Sequence, residues 1–280
     1  MRAWFAAVMA TAGVAGCAAS TADLPPVPQL EKAWVADGFS SPEGVALAPD
    51  GSYFISNVGG EGETKDGDGY ISKLSPDGTL IEPYFAAKLN DPKGMAVKDG
   101  VLYVADIDEV VTFDATTGER LAAIAAPESK FLNDVTVWND TVYVSDSVTS
   151  RIYTISDGKA EVWLEDERLA GVNGLLPEGK HLLTVTMNSG TLYRISKGGS
   201  ITPVALGMKD GDGIGIVPGG GHLVSAWPGE IFYVNPHGKE TKLLDTTASG
   251  IFQNDLTMFG DTVVVPNWEP GTVTAWRVVR

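Results

Sequence analysis

The chain has 280 residues, is 44% hydrophobic and carries a formal charge of −16 at pH 7. Such acidity excludes a nucleic-acid partner, because a phosphate backbone needs a basic face. The single cysteine excludes an internal disulfide, and 33 Gly with 16 Pro mark a chain rich in turns.

In chain order, residues 1–16 read as a secretory signal peptide. Arg2 precedes an apolar run from Ala3 to Gly16 that is too short to span a bilayer as a helix. The tail of that run, "VAGC" at 14–17, resembles the bacterial lipoprotein signal. The resemblance implies cleavage before Cys17, a lipid on its sulfur, and an extracytoplasmic protein held at a membrane. Residues 17–28 then read as a flexible tether.

From residue 29 onward a pattern recurs at about forty residues. Six copies begin at "PEGVAL" (42), "PKGMAV" (92), "LNDVTV" (132), "GVNGLL" (171), "GDGIGI" (211) and "FQNDLT" (252). Each has a short apolar strand, a turn rich in Gly, Asp or Asn, and a longer strand, which together read as a hairpin. A third strand follows in each copy, such as "YISKL" or "RIYTI", with alternating apolar and polar residues in several. Five copies also have a fourth strand, whereas the sixth runs out of chain at Arg280. The strand-like segment "QLEKAWVADGF" (29–39) lacks a repeat of its own. The expected fold is therefore all-β: a six-bladed β-propeller of four-stranded blades over residues 29–280, its ring closed by the N-terminal strand.

In such a ring the first strand of each blade lines the central channel. The residue before the Gly or Asp of each copy then points into its mouth. These residues are Glu43, Lys93, Asn133, Asn173, Asp212 and Asn254. Carboxylates and amides suit a hard cation such as Ca²⁺. No thiol or imidazole occupies an inward position, which argues against zinc and copper. Lys93 projects to the same axis as an ion-pair partner for Glu43 or Asp212.

The motifs "SPEG" (41–44), "LND" (132–134), "VNG" (172–174) and "DG" (212–213) resemble those of the senescence marker protein/gluconolactonase/luciferin-regenerating enzyme family. The resemblance runs over nearly all of residues 29–280. It implies a six-bladed propeller that binds a divalent metal, often calcium, through Glu43, Asn133, Asn173 and Asp212. It also implies that Asp212 serves as general base in hydrolysis of a lactone or related ester. Asp134 and Asp255, each next to a channel Asn, are second candidates for the base or for support behind the ligands. Gluconolactonase-like members carry an Arg two residues before the Asn; here Phe131 stands there, which implies a more apolar substrate beside Lys93 and Asn254. The alternative is a non-catalytic propeller that binds a ligand or protein on its channel face.

Three weaker signals complete the reading. "TKDGDGYIS" (64–72) has part of a calcium-loop pattern but lacks its bidentate Glu, and a loop overhanging the channel is the expected form. The glycines of "GDGIGIVPGGG" precede no helix, so they make no dinucleotide loop. Asp146 and Arg151 are placed to pair across a hairpin.

Overall fold

A computed structural model describes residues 24–60 and 62–280. The signal peptide, Cys17 and most of the tether lie outside these residues. Among the described residues no helix is long and apolar enough to cross a membrane. Two 3₁₀ turns, Glu167–Leu169 and Thr247–Ser249, are the helical elements found there.

Six sheets of antiparallel strands account for the rest. Blade 1 runs Pro42–Leu47, Tyr53–Asn57, Gly69–Leu74 and Leu80–Leu89, in sequence order from the axis outward. Blades 2 to 5 repeat the arrangement from Pro92, Leu132, Val172 and Gly211. Blade 6 is built from both ends of the described chain. Phe252–Gln253 and Thr257–Phe259 form a broken inner strand against Thr262–Glu269, and Thr272–Val279 follows. Gln29–Asp37 then pairs with Thr272–Val279, from Gln29↔Val279 to Asp37↔Thr272. The borrowed outer strand of the sequence reading is thus present, and it leaves the ring without a seam of unpaired backbone.

Apolar side chains from neighbouring blades fill the spaces between sheets. Phe54, Ile71 and Leu89 of blade 1 pack with Leu102, Val104 and Phe113 of blade 2. Trp138 and Tyr143 of blade 3 pack with Leu175, Leu182 and Ile195 of blade 4. Trp138, Tyr143 and Trp163 also form a cluster of tilted and edge-on rings. The core is therefore a series of layers between blades, which leaves the axis to other residues.

The inner strands share one distortion. Register slips between Pro42 and Val45, Pro92 and Met95, Leu132 and Val135, Val172 and Leu175, and Gly211 and Ile214. At each slip two residues oppose one on the second strand, which is a β-bulge. The first of the two is the inward residue of the sequence reading. The second is Gly44, Gly94, Asp134, Gly174 or Gly213. In blades 1, 3 and 5 the freed N–H of that second residue donates to a buried serine: Ser56, Ser145 and Ser225. The hydroxyl fills in for the lost ladder partner, so the bulge can re-aim the inward side chain without orphaning its backbone.

Those glycines also let the inner strands meet. A Cβ on Gly44 would lie 2.8 Å from the Lys93 carbonyl oxygen of the next blade. On Gly174 it would strike the carbonyl oxygen of Asp212, and on Gly213 the Leu256 backbone and the Asp255 carboxylate. Most of these obstacles are main chain and cannot swing aside. We predict that Gly213→Ala destabilises the protein by about 1–3 kcal/mol through overpacking, read as a fall in midpoint of urea unfolding; an unchanged midpoint would refute this account of the ring.

Candidate functional site

At the end of the second strand in blades 1 to 3, a polar side chain ties down the segment leading into the inner strand. Asn57 Oδ1 accepts the Ser40 N–H. Asp106 accepts those of Asn90 and Asp91 at 2.7–3.0 Å. Asp146 accepts the N–H groups of Lys130, Phe131, Val148 and Thr149. Asp146 is therefore a buried backbone cap, and the pairing expected between it and Arg151 is corrected. The two are register neighbours, but Arg151 forms ion pairs with Glu128 and Glu165 on the surface. Four amide hydrogens satisfy the Asp146 carboxylate better than one mobile guanidinium.

With these approaches fixed and the bulges of blades 1 to 5 in place, all six inward residues converge. Glu43, Lys93, Asn133, Asn173, Asp212 and Asn254 line one cavity of about 370 Å³, and each is at least nine-tenths buried. Phe131, Met187, Trp227, Trp268 and Glu63 complete its wall. The sequence reading did not single out the last four. Three of them share a place that it missed, at the end of a second strand: Met187 and Trp227 stand one residue past that strand in blades 4 and 5, and Trp268 is its next-to-last residue in blade 6. Glu63 comes from the 58–68 loop, which does overhang the channel. In that loop Asp68 accepts the Gly60 N–H and Thr64 donates to Asp66, so its carboxylates serve the turn itself.

The chamber is polarised. Its apolar side is local: Met187, Trp227 and Trp268 come from blades 4 to 6, which also contribute Asn173, Asp212 and Asn254. Trp227 and Trp268 meet edge to face, with centroids 6.5 Å apart. Lys93 Nζ lies 3.2 Å from Asp91 Oδ1 and 4.9 Å from the centre of the Phe131 ring. The other oxygen of Asp91 accepts the Glu63 N–H at 2.8 Å, so one buried carboxylate links the lysine to the overhanging loop.

Charge in so dry a space moves the protons. Burial holds the Glu43 carboxyl well above the usual range; Lys93 opposes that, and Asp212, Asp91 and Asp134 add to it. Burial likewise raises Asp212 to about 6, against the pull of Lys93 and a hydrogen bond from Asn173. Burial works to lower Lys93, but Glu43, Asp91 and Asp212 outweigh it and hold the ammonium above its ordinary value.

Asp134 and Asp255 sit one residue beyond the chamber and line a second cavity at the other end of the channel. They do not line the chamber, and their influence on it is electrostatic. Burial raises Asp134 to about 7 although the Leu175 and Val135 amides oppose it. Burial, with Asp134, Asp212 and Glu43, holds Asp255 well above its usual range.

The donor set fits a hard divalent cation. Asn133 and Asn254 use their NH₂ groups on Ser147 Oγ and the Pro42 carbonyl, which leaves the amide oxygens as acceptors for the chamber. Among the described residues no three His, Cys, Asp or Glu side chains are grouped to hold a metal, so any such ion requires these amides. One lysine among Glu43, Asp212 and Asp91 leaves negative charge uncompensated, as a cation site demands.

Glu43, Asp134, Asp212 and Asp255 bind protons more tightly folded than unfolded. Their contribution to stability is thus fully present at low pH and is lost as pH rises through about 6 for Asp212 and about 7 for Asp134. We predict a melting temperature that falls between about pH 4.5 and about pH 7.5 in chelator, with a shallower slope in Asp134→Asn; calorimetry that finds it rising across this window would contradict the assignment.

No family model and no curated relative matches this chain. Solved structures with the same fold include a gluconolactonase of Xanthomonas campestris, at 15% identity and a TM-score of 0.66, covering 91% of this chain and 96% of that one. A second structure assigned as a gluconolactonase has 20% identity and a TM-score of 0.65, covering 92% and 94%. A virginiamycin B lyase of Staphylococcus aureus, solved with quinupristin, has 13% identity and a TM-score of 0.61, covering 88% and 99%. At these identities the likeness establishes the architecture, a six-bladed propeller shared by proteins of more than one activity.

Proposed function

We propose that the chamber hydrolyses a lactone or ester-type small molecule with an apolar body, with Asp212 as general base. One observation carries the reading: two carboxylates and three amides from five blades, all buried, converge on one small space. The residues that would hold a divalent cation, calcium by donor type, are Glu43, Asn133, Asn173 and Asp212. Such an ion would polarise the substrate carbonyl and acidify water.

The remaining parts belong to the chain. With its carboxyl near 6, Asp212 is ionised at neutral pH yet basic enough to accept a proton from water. Asn173 donates to Asp212 and fixes its orientation. Phe131, Met187, Trp227 and Trp268 offer an apolar and aromatic wall to the rest of the substrate. Lys93 supplies a fixed positive charge beside the reacting end, held in place by Asp91. Two of the similar structures are described as gluconolactonases, which agrees with a lactone substrate; Phe131 and the two tryptophans favour a less polar one. The amino-terminal reading adds a site of action: an extracytoplasmic membrane surface, reached through a lipid on Cys17.

The second reading, a binding propeller without turnover, is favoured by Lys93, an internal cation among the acids of the chamber. A panel of lactones and aryl esters separates the two. On the hydrolase reading, turnover is lost in chelator, returns with calcium, and falls about 10²–10⁴-fold in Asp212→Ala. Calcium binding by calorimetry with no turnover across the panel would leave the binding reading, and no calcium binding at all would remove the metal. Separately, Cys17→Ser is expected to release the protein from membranes and abolish incorporation of labelled palmitate in a bacterial host; a membrane fraction unchanged by the substitution would count against the anchor.

A further inference from the structure

The chamber has a mouth as well as a floor. Its six inward residues are at least nine-tenths buried, whereas Trp227 and Trp268 are half-buried and Glu63 is exposed, so these three stand farther out around the same cavity. The backbone holds Glu63 there. Its N–H donates to Asp91 Oδ2 at 2.8 Å. Its φ of 63° lies in the left-handed region, which glycine or asparagine adopts more readily than glutamate. Backbone strain of this kind collects at functional sites. The residue before it leans on the aromatic wall: a Cβ on Gly62 would lie 3.7 Å from the Trp268 ring. A carboxylate and an indole thus share the entrance.

The cations of the protein nearest this entrance are committed elsewhere. Lys93, buried below it, pairs with Asp91 and lies over the Phe131 ring, and Lys65 of the overhanging loop pairs with Asp108. Among the described residues Glu63 has no ion-pair partner, and no lysine or arginine lies over the Trp227 or Trp268 ring. The two indoles meet at 88°, which makes a corner of the kind that receives a rounded cationic head against aromatic surfaces.

We propose that this mouth selects a substrate that carries an organic cation, such as a quaternary ammonium, at the end remote from its ester or lactone. Trp227 and Trp268 pack around the head, and Glu63 supplies the opposite charge. An anionic head is disfavoured, because it would meet Glu63 at the entrance while the one lysine of the chamber is engaged below. The proposal rests on the hydrolase reading for turnover alone; recognition at the mouth does not require it.

Two isosteric esters are the probes, 4-(trimethylammoniomethyl)phenyl acetate and 4-neopentylphenyl acetate, each split by water into acetic acid and its phenol. The phenols report binding by titration calorimetry on the whole protein, and the esters report kcat/KM. At low salt the cationic phenol should bind about tenfold tighter than the neutral one. Glu63→Gln should cut that preference about fivefold, and Glu63→Lys should abolish it. Trp268→Leu should cut it about threefold, whereas Glu82→Gln, on the exposed outer strand of blade 1, should preserve it. The kcat/KM ratio of the two esters should shift among the variants by the same factors. A binding preference that follows these variants with no turnover of either ester would uphold the cation site and remove only the hydrolase. Turnover without a binding preference, or a preference indifferent to Glu63 or to Trp268, would overturn the proposal and leave the hydrolase standing.

Discussion

The molecule depends on how closely six inner strands can approach one axis. A side chain on Gly44, Gly174 or Gly213 would meet the main chain of the next blade, so these junctions close on hydrogen atoms alone. Where glycine is absent, the contact becomes a hydrogen bond. Asp134 reaches the Leu175 N–H between blades 3 and 4, and Asn254 and Thr257 reach the Pro42 and Val45 carbonyls between blades 6 and 1. Tightness at the axis is what makes the channel small, and smallness is what buries the groups that line it. Burial is the leading cause of each raised carboxyl in the channel.

The bulges convert the same constraint into chemistry. A regular strand would send alternate side chains along the sheet face and give the axis only part of the inward set. Two residues opposite one turn Glu43, Lys93, Asn133, Asn173 and Asp212 toward a common point. The second residue of each pair defines a ring just beyond, which is glycine except where Asp134 and Asp255 stand. One distortion thus builds two layers, one rich in ligand atoms and one nearly empty of side chains.

Most of this architecture can be read from the chain, because each blade repeats the same local decisions and six copies average out the ambiguity of any one. The inward positions were legible for the same reason, and Phe131 was found through its place beside Asn133. Glu63, Met187, Trp227 and Trp268 were harder to see. The aromatic and sulfur side chains lie at or just past the end of a second strand, where such residues usually pack between blades, and their equivalents in blades 1 and 2 are Val58 and Ile107. Periodicity reports what recurs, and these wall residues are what differs between blades. The role of Asp146 was misjudged because a charge near an arginine in sequence looks like a pair, whereas its partners are backbone amides that no residue pattern displays. The separation of Asp134 from the chamber is likewise a matter of one bulged residue.

The pairing of Gln29 with Val279 ties positions 250 residues apart (279 − 29). During synthesis, the first strand emerges early and stays without its neighbour until Thr272–Val279 arrives. Blades 1 to 5 can each form as local hairpins, yet the ring remains open until the tail finds the head, so the slow step of folding falls on a contact of the greatest sequence separation. Through that interval the edge of Gln29–Asp37 is bare, and its apolar Leu30, Trp34 and Val35 invite the wrong strand. A chain built to close in this way gains from any partner that shields its leading strand while the remainder is made.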